Sequence, residues 1–223
     1  MSKARWSDAS DGSSFEQAPA GTHIARCYQV IDLGTQHNTM YDNFRRQTFV
    51  NFELPNEIRK YRDDNDVEQE LPFTIGKFYT ASLNEKANLR KDLESWRGRP
   101  FTEDELDGFD PENILGVPAM INVSHNDAGK ARITAVIKPP AGTNVPAAVH
   151  DPLFFMLDDY SEAMFNKIPD GFQKIIKKSP EWKALNEPPT QGALQPGDEI
   201  PGDFVDDELP PLTGDDSDIP FRS

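Results

Sequence analysis

The chain has 223 residues, of which 36% are hydrophobic, with a formal net charge of −15 and a mean hydropathy of −0.66. One cysteine, Cys27, excludes an intramolecular disulfide framework, and no apolar run is long enough to span a membrane. So low an apolar content predicts one domain of ordinary size with part of the chain unfolded, because that part buries too little apolar surface to offset its ordering entropy.

The opening residues MSKARWSDASDGSSF lack the apolar core of a secretory leader, which with the lone cysteine predicts a soluble protein in a reducing compartment. Charge is spread unevenly. Residues 187–223 hold ten acids against Arg222 alone, a net of −9, which leaves −6 for the other 186 residues. A mildly acidic body can still carry a local basic groove, so net charge alone neither supports nor excludes a nucleic-acid partner.

In chain order, residues 1–20 are small and polar and read as a flexible N-terminal arm. GTHIARCYQVIDL (21–33) is a strand pattern, ended by Gly34. Residues 35–46 form a polar loop carrying Phe44, Arg45 and Arg46. TFVNFEL (48–54) alternates: Val50, Phe52 and Leu54 share one face, Phe49, Asn51 and Glu53 the other. Residues 56–70 are charged and read as a hairpin loop, followed by a third strand at 73–83.

A helix is predicted over 84–97, with Ser82 or Asn84 as N-cap, Gly98 as stop and an apolar stripe of Leu89, Leu93 and Trp96. Thr102 opens a capping-box pattern for a second, short helix. Strands follow at 117–124 and 131–138, joined by a turn from His125 to Gly129. The result is a mainly β chain of order β-β-β-α-β-β, which is that of a five-stranded OB-fold barrel with a helix between strands three and four.

Four segments result: the arm (1–20), the barrel (21–150), a helical extension (151–186) and a disordered acidic tail (187–223). Within the extension, Lys174, Lys177, Lys178 and Lys183 stand beside Phe172, Ile175 and Ile176. Packing on the barrel, contact with DNA and self-association are all open to this amphipathic basic piece; packing on the barrel is expected.

A protein that holds single strands without sequence preference needs cations along a groove and aromatic faces on which bases stack. The cationic candidates are Arg26, Arg45, Arg46, Lys77, Arg97 and Arg99; the aromatic ones are Tyr28, Phe44, Phe49 and Tyr79. Phe49 is expected to project away from the core, and Tyr79 shares a strand face with Lys77. The alternative for both rings is packing at the barrel core or beneath residues 151–185. Trp96, on the helix stripe, is expected in the core.

Enzyme chemistry finds little footing. Asp63, Asp64 and Asp66 form a solvated charge run without neighbouring His or Cys, and His23, His37, His125 and His150 are scattered. There is no phosphate-binding glycine loop and no nucleophile elbow. No catalytic residue, metal site or cofactor is therefore expected.

The segments GTHIARCYQVIDLGTQ, TFVNFELP, SLNEKANLRKDLESWRGRPFTEDEL and FDPENILGVPAMINVSH occur in the order of the OB-fold single-stranded DNA-binding proteins of tailed bacteriophages, and the chain resembles that family over roughly residues 20–185. DDSDIPF, spanning Asp215, Asp216, Asp218, Ile219, Pro220 and Phe221, resembles the acidic tip of bacterial single-stranded DNA-binding proteins. The resemblance implies coating of single-stranded DNA in the host cytoplasm, and a tip that docks onto replication, recombination or repair proteins. One departure stands out: Arg222 and Ser223 follow Phe221, whereas in the bacterial tip the terminal Phe carries the free carboxylate that partners read. The competing expectation is an OB-fold adaptor whose acidic tail mimics DNA.

Overall fold

A computed structural model describes residues 16–38, 42–62 and 67–186. The expected tail, most of the arm and the tip residues Asp215 to Phe221 lie outside the described residues. The strands are β1 (Gly21–Asn38), β2 (Asn43–Arg62), β3 (Glu68–Thr80), β4 (Pro118–His125), β5 (Ala131–Ile137) and β6 (Leu153–Phe155). The helices are α1 (Asn88–Arg97), α2 (Glu103–Asp107), α3 (Glu162–Phe165), α4 (Asp170–Ile176) and α5 (Pro180–Asn186), with a 3₁₀ turn at Pro111–Ile114. No described helix is long and apolar enough to cross a membrane.

The sheet runs β3-β2-β1-β4-β5, antiparallel throughout, with β6 added parallel to β1. β3 and β5 end this path and no ladder joins them among the described residues, so the expected barrel is an open sheet here. α1 packs against both end strands. Its Leu93 and Trp96 enter the core formed by Ala25, Cys27, Val50, Phe52, Leu54 and Ile121. The Trp96 ring lies 5.4 Å from that of Phe52, and its Nε1 donates to the Pro118 carbonyl at 2.7 Å. That is the core position expected of Trp96.

Several boundaries differ from the sequence reading. Gly34 does not end β1. It sits at a bulge with φ +68°, a left-handed conformation that glycine adopts without a steric penalty, and pairing continues to Asn38. Residues 56–62 and 68–70 are strand: β2 and β3 extend into a long antiparallel ladder in which Lys60 pairs with Glu70 at 2.8 Å and Glu68 at 3.5 Å. Backbone pairing tolerates charged side chains when both faces of the ribbon are solvated.

α1 begins four residues late. Asn84 forms a local turn, its Oδ1 accepting from Lys86 N and its carbonyl from Ala87 N, and so competes with the helix instead of capping it. The Gly98 stop (φ +78°) and the Thr102–Glu105 capping box form as the sequence predicts.

The segment Leu153–Phe155, read as helical, is a strand. β4 covers β1 only from Gly21 to Arg26, which leaves the β1 edge at Gln29–Ile31 with unpaired backbone groups, and β6 satisfies them. From there the chain folds back over the outer face of the sheet. Phe165, Ile168, Phe172 and Ile176 join Ile31, Leu33 and Phe49 in a second core.

Candidate nucleic-acid interface

The outer face of β1 and β2 carries Arg26 and Glu53, directly opposite each other in the ladder. They do not pair; each holds the linker between β5 and β6. Arg26 donates to the Gly116 carbonyl at 2.6 Å, to Val145 at 3.2 Å and to Pro146 at 3.0 and 3.2 Å. Glu53 is fully buried, and its carboxylate accepts from Val149 N at 2.9 Å and His150 N at 2.8 Å, with His150 Nδ1 at 2.6 Å. A buried carboxylate demands such donors, since its desolvation is otherwise uncompensated. The Tyr28 ring lies under this strap, 5.2 Å from the His150 ring, and its hydroxyl accepts from Asn51 Nδ2 at 2.7 Å. Burial holds the Tyr28 phenol above its ordinary pKa. Arg26 and Tyr28 are therefore both engaged by the strap.

The expected exposure of Phe49 is corrected: the ring is 3% exposed, 4.7 Å from Phe78 and 4.6 Å from Phe172 of α4. Gly76 makes room for it, since a Cβ at that position would run into the Phe49 ring. Alternation correctly set Phe49 opposite Phe52, but the chain covers that face with its own extension. Tyr79 is likewise buried, at 3%, on the inner side. Its hydroxyl donates to Asp92 of α1 at 2.8 Å, and Lys77 Nζ contacts the same oxygen at 2.7 Å. Tyr79 beside Lys77 is thus an internal clasp for α1.

The remaining cations are largely engaged as well. Arg46 binds the buried Asp32 and reaches Asp158 at 2.8 Å. Arg97 and Arg99 converge on Glu105, at 2.6 and 2.5 Å, and hold its carboxyl well below the ordinary carboxylate range. The Arg97 guanidinium also lies 4.3 Å from the Phe101 ring centroid, at the side of an apolar cleft of about 530 Å³ lined by Trp96, Phe101, Phe109, Ile114 and Pro118.

One predicted aromatic stands in solvent. Phe44, 67% exposed, lies at the end of the β1–β2 hairpin opposite His37, with ring centroids 4.8 Å apart. Arg45 follows it on β2, paired with Gln36. The hairpin root is stitched to the extension: Thr35 donates through N and Oγ1 to Glu181 of α5 at 2.9 and 2.5 Å, and Gln36 Nε2 donates to the Ile175 carbonyl at 3.2 Å. The structure thus brings Phe44, Arg45 and Arg46 together at one hairpin and leaves Arg97 and Arg99 on the α1–α2 side. His37 as the ring partner of Phe44, and Glu53 with His150 as the strap's anchor, were not singled out from the sequence, and no local pattern marks them.

No family model matches the chain, and no curated protein matches it in sequence.

Proposed function

We propose that this protein binds single-stranded DNA without strong sequence preference, on an OB-type barrel whose gap between β3 and β5 is filled by α1. The strand order β3-β2-β1-β4-β5 and the helix between β3 and β4 support the barrel. OB folds are partly open Greek-key barrels that meet oligonucleotides with the strand two and three face and with the β1–β2 and β4–β5 loops. The observation that carries the reading is Phe44. A largely exposed Phe, its ring against His37 and an arginine next in the chain, offers a base a stacking surface beside a cation. In keeping with the sequence resemblance, the protein serves phage DNA replication, recombination or repair in the host cytoplasm. The tip Asp215–Phe221 recruits partner proteins, with Ile219, Pro220 and Phe221 as apolar anchor and the aspartates as steering charges.

A second reading is an OB-type adaptor or DNA mimic that engages proteins only. It is favoured by the neutralisation of Arg46, Lys77, Arg97 and Arg99 by the chain's own carboxylates. Titration of an oligo-dT of roughly 30 nucleotides at about 50 and 200 mM salt separates the two. The DNA-binding reading expects tight binding that weakens with salt through counterion release. Absence of binding at both salts selects the adaptor. Partner recruitment is tested separately by Phe221→Ala, which is expected to abolish pull-down of replication proteins while DNA affinity stays unchanged.

A further inference from the structure

Arg26, Arg46 and Lys77 of the strands are spent on internal hydrogen bonds and ion pairs, whereas the lysines of the extension carry no ion pair among the described residues. Lys167, Lys174, Lys177, Lys178 and Lys183 are all exposed. Among the described residues none of them forms an ion pair. Between Gly171 and Asn186 the only acid is Glu181, and its carboxylate is turned onto Thr35 of the hairpin. Asp158, earlier in the extension, is turned onto Arg46. The extension thus turns Glu181 and Asp158 toward the sheet; Asp151, Asp159, Glu162 and Asp170 stand in solvent like the lysines, but all four precede the lysine cluster, which runs from Lys174 to Lys183.

Helical spacing orders these lysines. Phe172 and Ile176 are buried against the sheet, whereas Lys174 on α4, Lys177 at its C-cap and Lys178 in the turn that follows are exposed, at the spacing i, i+3 and i+4. Aromatic surface is interleaved with them. The Trp182 ring stacks on Phe165 at 4.3 Å and 29°, Lys177 Nζ lies 5.5 Å from that same Phe165 centroid, and the half-buried Tyr160 meets Trp182 at 5.5 Å. This surface adjoins the candidate hairpin, because Ile175 and Glu181 are the residues that bond Gln36 and Thr35, next to His37.

We infer that the outer surface of α4 and α5 is the phosphate track for single-stranded DNA, continuous with the Phe44 hairpin. The inference rests on the proposed function and assigns the backbone-binding part of it to the extension instead of the strand face. The outer sheet face, closed by the strap and by the second core, is left as scaffold. Lysines without ion pairs beside the partly exposed rings of Tyr160 and Trp182, which rest on the buried Phe165, supply what a sequence-tolerant single-strand binder requires, cations for phosphates and aromatic surface for bases.

The test is the full chain and its Lys174→Ala/Lys177→Ala/Lys178→Ala variant, titrated with the same oligo-dT across a salt series. The substituted side chains are exposed, so the thermal midpoint is expected to be unchanged. Each lost phosphate contact lowers the slope of log affinity against log salt by about 0.7, so the triple variant is expected to lose about 2 in slope. Its affinity near 0.1 M salt is expected to fall on the order of 10–100-fold. A wild-type chain that binds and a folded variant with the same slope and affinity overturn this assignment while leaving the proposed function standing. A wild-type chain that does not bind overturns both. Loss of a protein partner by the variant with DNA binding intact likewise overturns it, making the surface a protein-docking one.

Discussion

On the inner face of β2, Val50, Phe52 and Leu54 pack into an almost wholly apolar core with α1. On the outer face, Phe49, Asn51 and Glu53 are equally buried, at 3%, 1% and 0% exposure, but by a mixture of apolar packing, amide hydrogen bonds and a gripped carboxylate. The inner core needs only compact strands and one helix. The outer core needs the chain beyond β5 to return, as a strap over Glu53 and as helices over Phe49. The comparison teaches that occlusion of a sheet face can be supplied by the chain's own later segments, and that such a face serves as scaffold while the covering segment inherits the outward surface.

The comparison is tested most severely by truncation of both cores. Phe52→Ala and Phe49→Ala are each expected to cost about 3–5 kcal/mol in denaturant unfolding, because each leaves a ring-sized cavity. A Phe49→Ala chain of near wild-type stability with weakened DNA binding would return Phe49 to the ligand site and dissolve the outer core. Glu53→Ala is expected to cost roughly 3 kcal/mol, since it leaves buried donors unmatched. Hydrogen exchange should then accelerate at Val149 and His150 while Phe52 and Ile121 stay protected. Uniform acceleration would mean that strap and sheet open as one unit.

Phe44→Ala is expected to weaken oligo-dT binding by roughly 2 kcal/mol with no change in the thermal midpoint, as loss of one stacking surface demands. An unchanged affinity would remove the hairpin from the interface. The smallest expected effect is in acid. Partial burial acts to raise the Glu181 pKa, but hydrogen bonds from the Thr35 hydroxyl and amide outweigh it, so the carboxyl sits below its ordinary value. A depressed folded-state pKa stabilises above the ordinary carboxylate value of about 4.3, and that contribution disappears as pH falls through the folded pKa. The indole N–H resonance of Trp182 should therefore report loosening of α5 below about pH 4, and Glu181→Gln should flatten that response. The contribution is small because the carboxylate is partly solvated.

The main strands, α1 with its Gly98 stop and the capping box at Thr102 were legible because each rests on local rules: alternation, helical spacing and short-range caps. Legibility failed where two competent local readings competed. Leu153–Phe155 carries no decisive period in three residues and became a strand because β1 offered an open edge. Gly34 was read as an end, yet a left-handed glycine also builds a bulge, and only the partner strand distinguishes them. Among the site candidates, Phe44 stayed exposed, paired with His37 near the end of the β1–β2 ladder and in neither core cluster, whereas Tyr28, Phe49 and Tyr79 are buried.

By itself the sequence determined which residues share a strand face, which helix carries Trp96 inward, and that the lysines of residues 174–183 lie among apolar neighbours at amphipathic spacing. It did not determine which sheet face meets solvent, because period two separates two faces without saying what lies over either. Tertiary structure decided that. The return of residues 139–182 over β1 and β2 engages Arg26, Tyr28, Arg46 and Phe49 in contacts between segments distant in the chain, and leaves Lys174, Lys177, Lys178 and Lys183 in solvent.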